Sequence, residues 1–280
     1  MTASIASAKD GVIARARSFL FVPGDRPEWV HKALASAAHA VIVDLEDAVA
    51  PTDKRYARRA IAEALAPIDD RSRLMLRING TDSAWHEEDV EFIACLRFAG
   101  IVVPKAEEPL GIELAARRAA APVVPLVESA QGLFAIDQLA HSCGVVRIAF
   151  GHLDFQLDTG IQCGEDEREL DIVRLAITLA SRRAGLGPPI DGVTTAVDDE
   201  ARLQTDASRS KRLGYRAKLC VHPKQVEVIN RAFAPSTADV TWARRVFDAA
   251  QAAGGSAFRL DNQMIDIPVI QRARTLLDEH

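Results

Sequence analysis

Short apolar runs alternate with longer amphipathic stretches from residue 18 to about residue 233. Several runs, among them Ala40–Asp44 and Val123–Val127, are almost continuously apolar, which is typical of strands in a parallel sheet covered on both faces. The runs predict eight strands, over the ranges Ser18–Val22, Ala40–Asp44, Leu74–Ile78, Gly100–Val103, Val123–Val127, Val146–Phe150, Pro188–Asp191 and Lys218–Val221.

The amphipathic stretches between these runs predict helices. Pro27 is placed to begin the first one, and Thr52 or Asp53 can cap the helix that runs to Leu65. The predicted ranges are Pro27–Ala38, Asp53–Leu65, Ala84–Phe98, Pro109–Ala120, Gly132–Ala140, Glu167–Ala184, Asp198–Leu213 and Pro223–Phe233. Eight successive β-then-α units favour a closed (β/α)8 TIM barrel over an open doubly wound sheet.

The alternation of strands and helices ends after Phe233. A helix is predicted to about Ala252, ending at Gly254-Gly255, and it is followed by the short segment Ala257–Asp261 and a final helix from about Pro268. We therefore predict three regions. They are a flexible N-terminus over residues 1–16, a barrel catalytic domain over residues 17–234, and a C-terminal helical extension over residues 235–280 that packs on the barrel or on a neighbouring subunit.

The composition fits a large globular protein of the cytoplasm. The chain has 280 residues, of which 48% are hydrophobic, and a net charge of −5. This acidic balance gives no reason to expect nucleic acid or an anionic membrane as the main partner. The four cysteines form no C-x-x-C pair and are expected to be reduced thiols. No apolar run approaches the roughly 20 residues that span a membrane. The first 16 residues lack the apolar core of a secretory signal, which leaves a frayed terminus or an organellar transit peptide.

Charged residues follow the predicted strands at the end where the active sites of such barrels lie. They are Asp25 and Arg26 after the first strand, Asp44, Glu46 and Asp47 after the second, Arg77 on the third, Lys105 after the fourth, Glu128 after the fifth, Asp154 after the sixth, Asp191 on the seventh and His222 after the eighth. Because these ends meet at one rim of a barrel, the pattern predicts a catalytic site there.

Glu128 and Asp154 form the sharpest pair. Each follows an apolar strand, and two carboxylates that leave positions open for water and substrate suit Mg²⁺. The alternative is that each carboxylate caps the next helix or pairs with a lysine or arginine. The sequence thus predicts a metal site, with structural roles as the competing interpretation.

Arg77 ends the run Leu-Met-Leu-Arg and offers a planar fork to a carboxylate or carbonyl oxygen. Arg77 can instead form an ion pair with the acidic cluster of Asp44, Glu46 and Asp47. Both interpretations can hold, because the cluster can orient Arg77 and also accept hydrogen bonds from metal-bound water. Lys105 is a less favoured candidate for Schiff-base chemistry. The common nucleotide, zinc-protease and serine-hydrolase motifs are absent from the sequence.

Nine short stretches together resemble the citrate lyase β-subunit-like family of the HpcH/HpaI aldolase superfamily. They are RSFLFVPG (17–24), VDLEDAV (43–49), LRING (76–80), VPK (103–105), VESA (127–130), FG and DF within 150–155, IDG (190–192), VHPKQ (221–225) and MIDIP (264–268). The stretches occur in the order of the family and over nearly the whole chain.

The resemblance implies a TIM barrel that assembles as a homotrimer or hexamer. It also implies a carbon–carbon lyase that cleaves or forms a β-hydroxyacyl-CoA thioester, such as citryl-, malyl- or citramalyl-CoA, to give an acyl-CoA and a 2-oxo acid. Glu128 and Asp154 would bind Mg²⁺, with Mn²⁺ as an alternative, and Arg77 would bind the 2-oxo acid or enolate. Asp266 would act as acid/base in the site of a neighbouring subunit. Arg17 and Lys105 would lie on the rim near CoA.

The sequence departs from many relatives after the sixth strand. They carry Gly-Ala-Glu-Asp, whereas this chain reads Gly151-His152-Leu153-Asp154, which implies a different acyl acceptor. Near the eighth strand, Arg216-Ala217 stands where relatives often carry Asp-Gly. Two other functions stay open. One is a class II aldolase that acts on free hydroxy-oxo acids, although such relatives usually carry histidine where this chain has Glu46 or Asp47. The other is a barrel that binds CoA esters without turnover.

Overall fold

A closed barrel of eight parallel strands makes up the first of two units in the computed structural model, which describes residues 11–252 and 257–278. The strands are β1 Ser18–Pro23, β2 Ala40–Asp44, β3 Leu74–Arg77, β4 Gly100–Val103, β5 Val123–Val127, β6 Ala149–Phe150, β7 Ile190–Asp191 and β8 Ala217–Cys220. They pair in chain order, and β1 closes the ring against β8. The predicted TIM barrel is confirmed.

Helices follow the strands in turn. In chain order they are α1 Val12–Arg15, α2 Trp29–Ala35, α3 Lys54–Leu65, α4 His86–Leu96, α5 Pro109–Ala119, α6 Ala130–Phe134, α7 Ile136–His141, α8 His152–Thr159, α9 Asp171–Arg183, α10 Glu200–Arg212 and α11 Pro223–Phe233. Short 3-10 turns at Pro51–Asp53 and Arg168–Leu170 precede α3 and α9. The helix capping predicted for Thr52 or Asp53 is wrong, because the 3-10 turn leads into α3 and Asp53 makes no side-chain cap.

The interior of the barrel is filled by residues that alternate along the strands. Phe19, Ile42, Met75 and Val102 belong to this layer and are essentially inaccessible to solvent. Since alternate side chains point to opposite faces of a strand, the residues between them pack against the helices. The barrel is thus a solid core, and polar chemistry is left to the strand ends.

The N-terminal end of the barrel is closed by α1, which lies within the stretch that we expected to be flexible. Ile13 is 3% exposed, and the buried Arg147 guanidinium donates to the carbonyl of Ala16 at 2.6 Å and to that of Ile13 at 3.2 Å. Arg147 also donates to the carbonyl of Pro188 at 2.6 Å. This one side chain therefore ties α1 to the segments beside β6 and β7.

Besides α1, a second helix of the barrel unit was missed by the sequence prediction. The residues after β6 were expected to form a loop, but His152–Thr159 forms α8, which ends at Gly160 with a φ of 72°. Its apolar residues Leu153, Phe155 and Leu157 alternate instead of recurring every three or four positions, so the helical period is hidden. Asp154 consequently lies in the first turn of a helix.

The second unit contains α12 Thr237–Ala252, the hairpin of β9 Phe258–Leu260 and β10 Gln263–Ile265, and α13 Ile267–Asp278. The hairpin turn places Asp261 and Asn262 at positive φ, as two-residue hairpins favour. The buried core of this second unit contains Ala243, Val246, Ile265 and Ala273. The predicted stop at Gly254-Gly255 lies outside the described residues. No helix in either described range is long and apolar enough to cross a membrane.

Candidate active site

A cleft of about 410 Å³ lies at the carboxyl ends of the barrel strands. Its charged lining residues are Asp44, Asp47, Arg77, Glu128 and Asp154. All five belong to the charged residues predicted to gather at this rim, and they come from strands and loops that are far apart in the sequence. The barrel therefore brings Asp47, Arg77, Glu128 and Asp154 to one cleft.

Arg77 is held by the acidic residues that follow β2. The parallel register pairs Arg77 with Asp44, and the guanidinium donates to the two Asp44 carboxylate oxygens from Nε at 2.7 Å and from Nη2 at 2.6 Å. Its Nη1 lies 2.9 Å from Glu46 Oε2 and 3.4 Å from Asp47 Oδ2. The predicted ion pair therefore forms, and the bidentate edge of the fork is occupied by Asp44.

The charge on Arg77 is fixed by this arrangement. Burial by itself would lower the pKa of Arg77, but the carboxylates of Asp44, Glu46 and Asp47 raise it above its ordinary value. Two of the five N–H groups of a guanidinium are used in hydrogen bonds to Asp44. Nη1 pairs with Glu46 and Asp47 by charge, and Glu46 Oε2 accepts no hydrogen bond from the described residues. The N–H groups that remain, on a side chain that lines the cleft, are available to a negatively charged ligand.

Lys105 links two carboxylates of the site. Its backbone, at a φ of 46°, donates its N–H to Glu128 Oε1 at 2.7 Å, and its Nζ donates to Glu46 Oε1 at 2.9 Å. The hydrogen bond to Glu46 raises the pKa of Lys105, so its amine stays protonated. Schiff-base chemistry needs a neutral amine, and the structure therefore disfavours that interpretation. Burial raises the pKa of Glu46.

Glu128 and Asp154 form an oxygen-rich site with an excess of negative charge. Glu128 is 4% exposed, and its burial, followed by the charges of Glu46 and Asp154, raises its pKa to about 8. A Cβ at residue 151 would lie 2.7 Å from the Cβ of Glu128, so the glycine at that position makes room for this carboxylate. Neutral pH therefore demands either a proton or a cation beside Glu128.

This arrangement fits a hard divalent cation. Asp154 makes no hydrogen bond or ion pair to the described part of the chain, so neither of its predicted structural roles is seen. Within the described ranges, no three histidine, cysteine or acidic side chains converge as a complete metal cage. Mg²⁺ is commonly coordinated by two protein carboxylates, and water or ligand oxygens fill its remaining coordination positions.

Two predicted site residues lie elsewhere. Arg17 precedes β1, where its backbone N–H donates to His39 Nδ1 at 3.1 Å. It therefore lies at the amino end of the barrel, opposite to the cleft, and our expectation that it lies on the catalytic rim is not met. Asp266 belongs to the second unit, where it is exposed and begins α13, with its Oδ1 accepting from the Val269 N–H at 3.3 Å.

A buried charge network beneath the rim was not predicted. Arg174 on α9 donates to Asp191 Oδ1 at 3.1 Å and to Glu167 Oε2 at 2.6 Å, and Lys218 Nζ lies 3.8 Å from Asp191 Oδ2. Glu167 Oε1 in turn lies 3.7 Å from the Nε2 of His152, which lines the cleft. Burial lowers the pKa of His152 to about 4, so its imidazole is neutral near pH 7. Asp191 carried a sequence signal as a charged residue at a predicted strand end, whereas Arg174 looks like an ordinary surface charge of a helix.

The closed barrel, with an arginine and several carboxylates at the carboxyl ends of its strands, places the chain in the class of (β/α)8 proteins that carry their candidate site at this rim. Within that class, the chain belongs to the HpcH/HpaI aldolase/citrate lyase family, whose sequence profile matches residues 17–223. The family resemblance predicted from the nine stretches is confirmed.

Named relatives cover nearly the whole chain. A citrate lyase subunit beta-like protein of Deinococcus radiodurans is 34% identical, over 93% of this chain and 96% of its own length. A (3S)-malyl-CoA thioesterase of Cereibacter sphaeroides is 31% identical, over 93% of each. The crystal structure of the protein CitE from Mycobacterium tuberculosis in complex with magnesium, acetoacetate and coenzyme A matches with a TM-score of 0.83 and 33% identity, over 94% of this chain and 97% of that one.

Proposed function

We propose that this protein is a Mg²⁺-dependent carbon–carbon lyase that cleaves or forms a β-hydroxyacyl-CoA thioester, with an acyl-CoA and a 2-oxo acid as the two fragments. The observation that carries the proposal is the meeting of Arg77 with Glu128 and Asp154 in one cleft. The similar CitE structure with magnesium, acetoacetate and coenzyme A supports it.

The reaction poses one electrostatic problem. When the β-hydroxyl loses its proton, the electron pair of the carbon–carbon bond moves onto the acyl fragment as a thioester enolate, and the β-carbon becomes the carbonyl of a 2-oxo acid. The enolate then takes a proton at carbon. The site must therefore bind a carboxylate, stabilise developing oxyanion charge and move protons at defined places.

The side chains of the cleft suit these tasks. Arg77 would bind the carboxylate or oxyanion through the N–H groups that Asp44 leaves free, and its fixed charge requires no reorganisation during the reaction. Glu128 and Asp154 would hold Mg²⁺, which supplies a Lewis acid and a template for the acid fragment. Glu46 would position Arg77 and Lys105. Asp47, whose side chain is 62% exposed, would accept hydrogen bonds from water or substrate at the mouth.

Asp266 is our candidate for the group that moves the proton at carbon, acting in the cleft of a neighbouring subunit in a homotrimer or hexamer. Its carboxylate is exposed, and it lies between Met264 and Ile267, which are 72% and 64% exposed. Exposed apolar residues that form one contiguous patch mark a surface where a partner binds. Asp266 uses one carboxylate oxygen, Oδ1, to cap α13. Its other carboxylate oxygen, Oδ2, is not used in that cap.

Hydrolysis of the thioester is a second candidate, because one relative is named a (3S)-malyl-CoA thioesterase. The two reactions release different products. A lyase releases a 2-oxo acid and keeps the thioester, whereas a thioesterase releases a free thiol and no oxo acid.

The test is to incubate the protein with Mg²⁺ and malyl-CoA or citramalyl-CoA, and to measure the 2-oxo acid as its phenylhydrazone and free CoA as thiol in parallel. We expect the oxo acid to form without an equivalent of thiol, and the double variant Glu128→Gln/Asp154→Asn to form neither. Thiol release without oxo acid would establish the thioesterase instead. Full activity in EDTA would contradict the metal site.

A further inference from the structure

The cleft is divided into a charged part and an apolar part. The charged lining side chains lie on or just after β2, β3, β5 and β6. The strands β7, β8 and β1 are consecutive in the closed barrel, and the described residues from them and just after them that line the cleft are uncharged: Phe21, Pro23, Gly192, Val193, Leu219 and Val221. The apolar part is therefore one continuous sector.

Leu153 stands where the two parts meet. It immediately precedes Asp154 in the first turn of α8, it lines the cleft, and 45% of its surface is exposed. Val221, at the end of β8, is 43% exposed, and Val193 is half-buried. Apolar surface that is exposed inside a concave site gains free energy when a ligand covers it.

Among the described residues that line the cleft, Arg77 is the one cationic side chain, and it contacts the apolar sector at Phe21, 5.0 Å from the centre of the ring. Lys218, the cation on β8, is 1% exposed, and its Nζ already donates to the carbonyl of Gly192 at 2.6 Å. His152 is 4% exposed, and its Nε2 lies 3.7 Å from Glu167 Oε1. A carboxylate placed against this sector beyond the reach of Arg77 would lose its hydration with no partner in exchange, which is unfavourable.

The inference that follows rests on the proposed lyase function. The reacting carbon of a 2-oxo acid carries a carbonyl oxygen, a carboxylate and one further substituent. If the two oxygen-bearing groups are bound by Arg77 and by the cation on Glu128 and Asp154, then the third substituent is left to face the apolar sector. We propose that Leu153, Val193 and Val221 form a specificity pocket that selects 2-oxo acids with an alkyl substituent over those with a second carboxylate.

The sharpest comparison uses 2-oxobutyrate and oxaloacetate, in which the same CH₂ group carries a methyl or a carboxylate. With acetyl-CoA and Mg²⁺ in the condensing direction, we expect kcat/KM for 2-oxobutyrate to exceed that for oxaloacetate by on the order of tenfold or more, because the carboxylate would be desolvated without a partner. The affinity of each oxo acid for the Mg²⁺-loaded protein, measured by thermal shift without acetyl-CoA, should follow the same order.

Substitutions at α8 test the position of the pocket. Leu153→Lys places a cation at the junction and should lower the ratio of 2-oxobutyrate to oxaloacetate at least tenfold, whereas Leu153→Met should keep it. The matched control is Leu157→Lys on the same helix, because Leu157 is 83% exposed and lies outside the lining of the cleft. This control should leave the ratio unchanged.

The outcomes separate the pocket from the lyase reaction. If no condensation occurs but the binding order and its reversal by Leu153→Lys hold, then the lyase proposal fails and the pocket stands. The pocket is overturned if wild-type protein prefers oxaloacetate or does not discriminate in binding, if neither acid binds, or if Leu153→Lys behaves like Leu157→Lys.

Discussion

At the scale of single residues, the site depends on two charged side chains, Glu128 and Arg77, whose pKa values are shifted by their surroundings. Glu128 is buried beside other acidic groups, and the N–H of Lys105 and the charge of Arg77 offset them in part. Arg77 is the opposite case, since it is surrounded by carboxylates that keep it cationic. Both arrangements have consequences that can be measured.

The pKa of about 8 for Glu128 predicts that Mg²⁺ binding depends on pH. Below this pH a proton occupies the carboxylate and competes with the cation, so affinity should rise with pH until it levels off near pH 8. Calorimetric titrations at pH 6, 7, 8 and 9 would measure this. Glu128→Gln should bind Mg²⁺ weakly and lose most of the pH dependence. A dissociation constant that is the same at pH 6 and pH 8 in wild-type protein would refute the prediction.

Arg77→Lys should lower kcat/KM by on the order of 100-fold, equivalent to about 3 kcal/mol of transition-state stabilisation, because an ammonium keeps the charge but loses the planar array of donors. Steady-state kinetics with malyl-CoA would measure it. Arg73→Lys is the matched control, because Arg73 lies just before the same strand at its opposite end and donates to the carbonyls of Ala38 and Leu34. Comparable activity of the two variants would exclude direct contact between Arg77 and the substrate.

At the scale of secondary-structure elements, the network of Arg174, Asp191, Glu167 and Lys218 ties α9 and the segment before it to β7 and β8. Burial would raise the pKa of Asp191, but Lys218 and Arg174 hold it well below its usual value. The charges are therefore retained inside the protein because each has an opposite partner. Such pairs are sensitive to the loss of one member.

Arg174→Met should destabilise the fold by about 3 kcal/mol, because it removes the buried guanidinium that Asp191 and Glu167 share and leaves them to Lys218 and Arg209. Urea unfolding at pH 7 would measure this. Arg183→Met is the control on the same helix: its ion pair with Asp137 is half-exposed, and its loss should cost less than about 1 kcal/mol.

The effect of Arg174→Met should also depend on pH. The pKa of Asp191 is lower in the folded protein than in the unfolded chain, so its contribution to stability is present above about pH 4 and is lost as the solution becomes more acidic. The difference between wild type and Arg174→Met should therefore shrink below that pH. Equal stability of Arg174→Met and Arg183→Met at pH 7 would show that the network is not needed for folding.

At the scale of the whole molecule, the proposed position of Asp266 in a neighbouring subunit makes the active site a property of the assembly. Light scattering should then report a trimer or hexamer, and mixing Asp266→Ala subunits with Arg77→Ala subunits should restore activity. With random exchange in a closed ring, roughly a quarter of the sites receive both intact residues.

The matched control for this complementation mixes Arg77→Ala with Asp154→Ala. Both residues belong to one barrel, so no exchange of subunits can assemble an intact site, and the mixture should stay inactive. If subunits are shown to exchange and the Asp266→Ala mixture is equally inactive, then Asp266 either serves its own barrel or only caps α13.

The sequence by itself determined the barrel and most of its rim. Buried parallel strands must be apolar on both faces, so each strand was visible as a run, and Ala40–Asp44, Gly100–Val103 and Val123–Val127 match the observed bounds. The charged residues that follow such runs must share one rim once the sheet closes, which is why Arg77, Glu128 and Asp154 could be grouped in advance.

Only the tertiary structure decided how those groups are used. Asp44 binds one edge of the Arg77 guanidinium because the register between β2 and β3 pairs these two residues. The sequence of either strand alone does not determine that register. The helical position of Asp154 was hidden because the apolar residues of α8 alternate. The raised pKa of Glu128 arises from burial and from charges distant in the chain. Local patterns report which face of an element is buried, whereas pairing, burial depth and electrostatics are set by residues that meet only after the chain has folded.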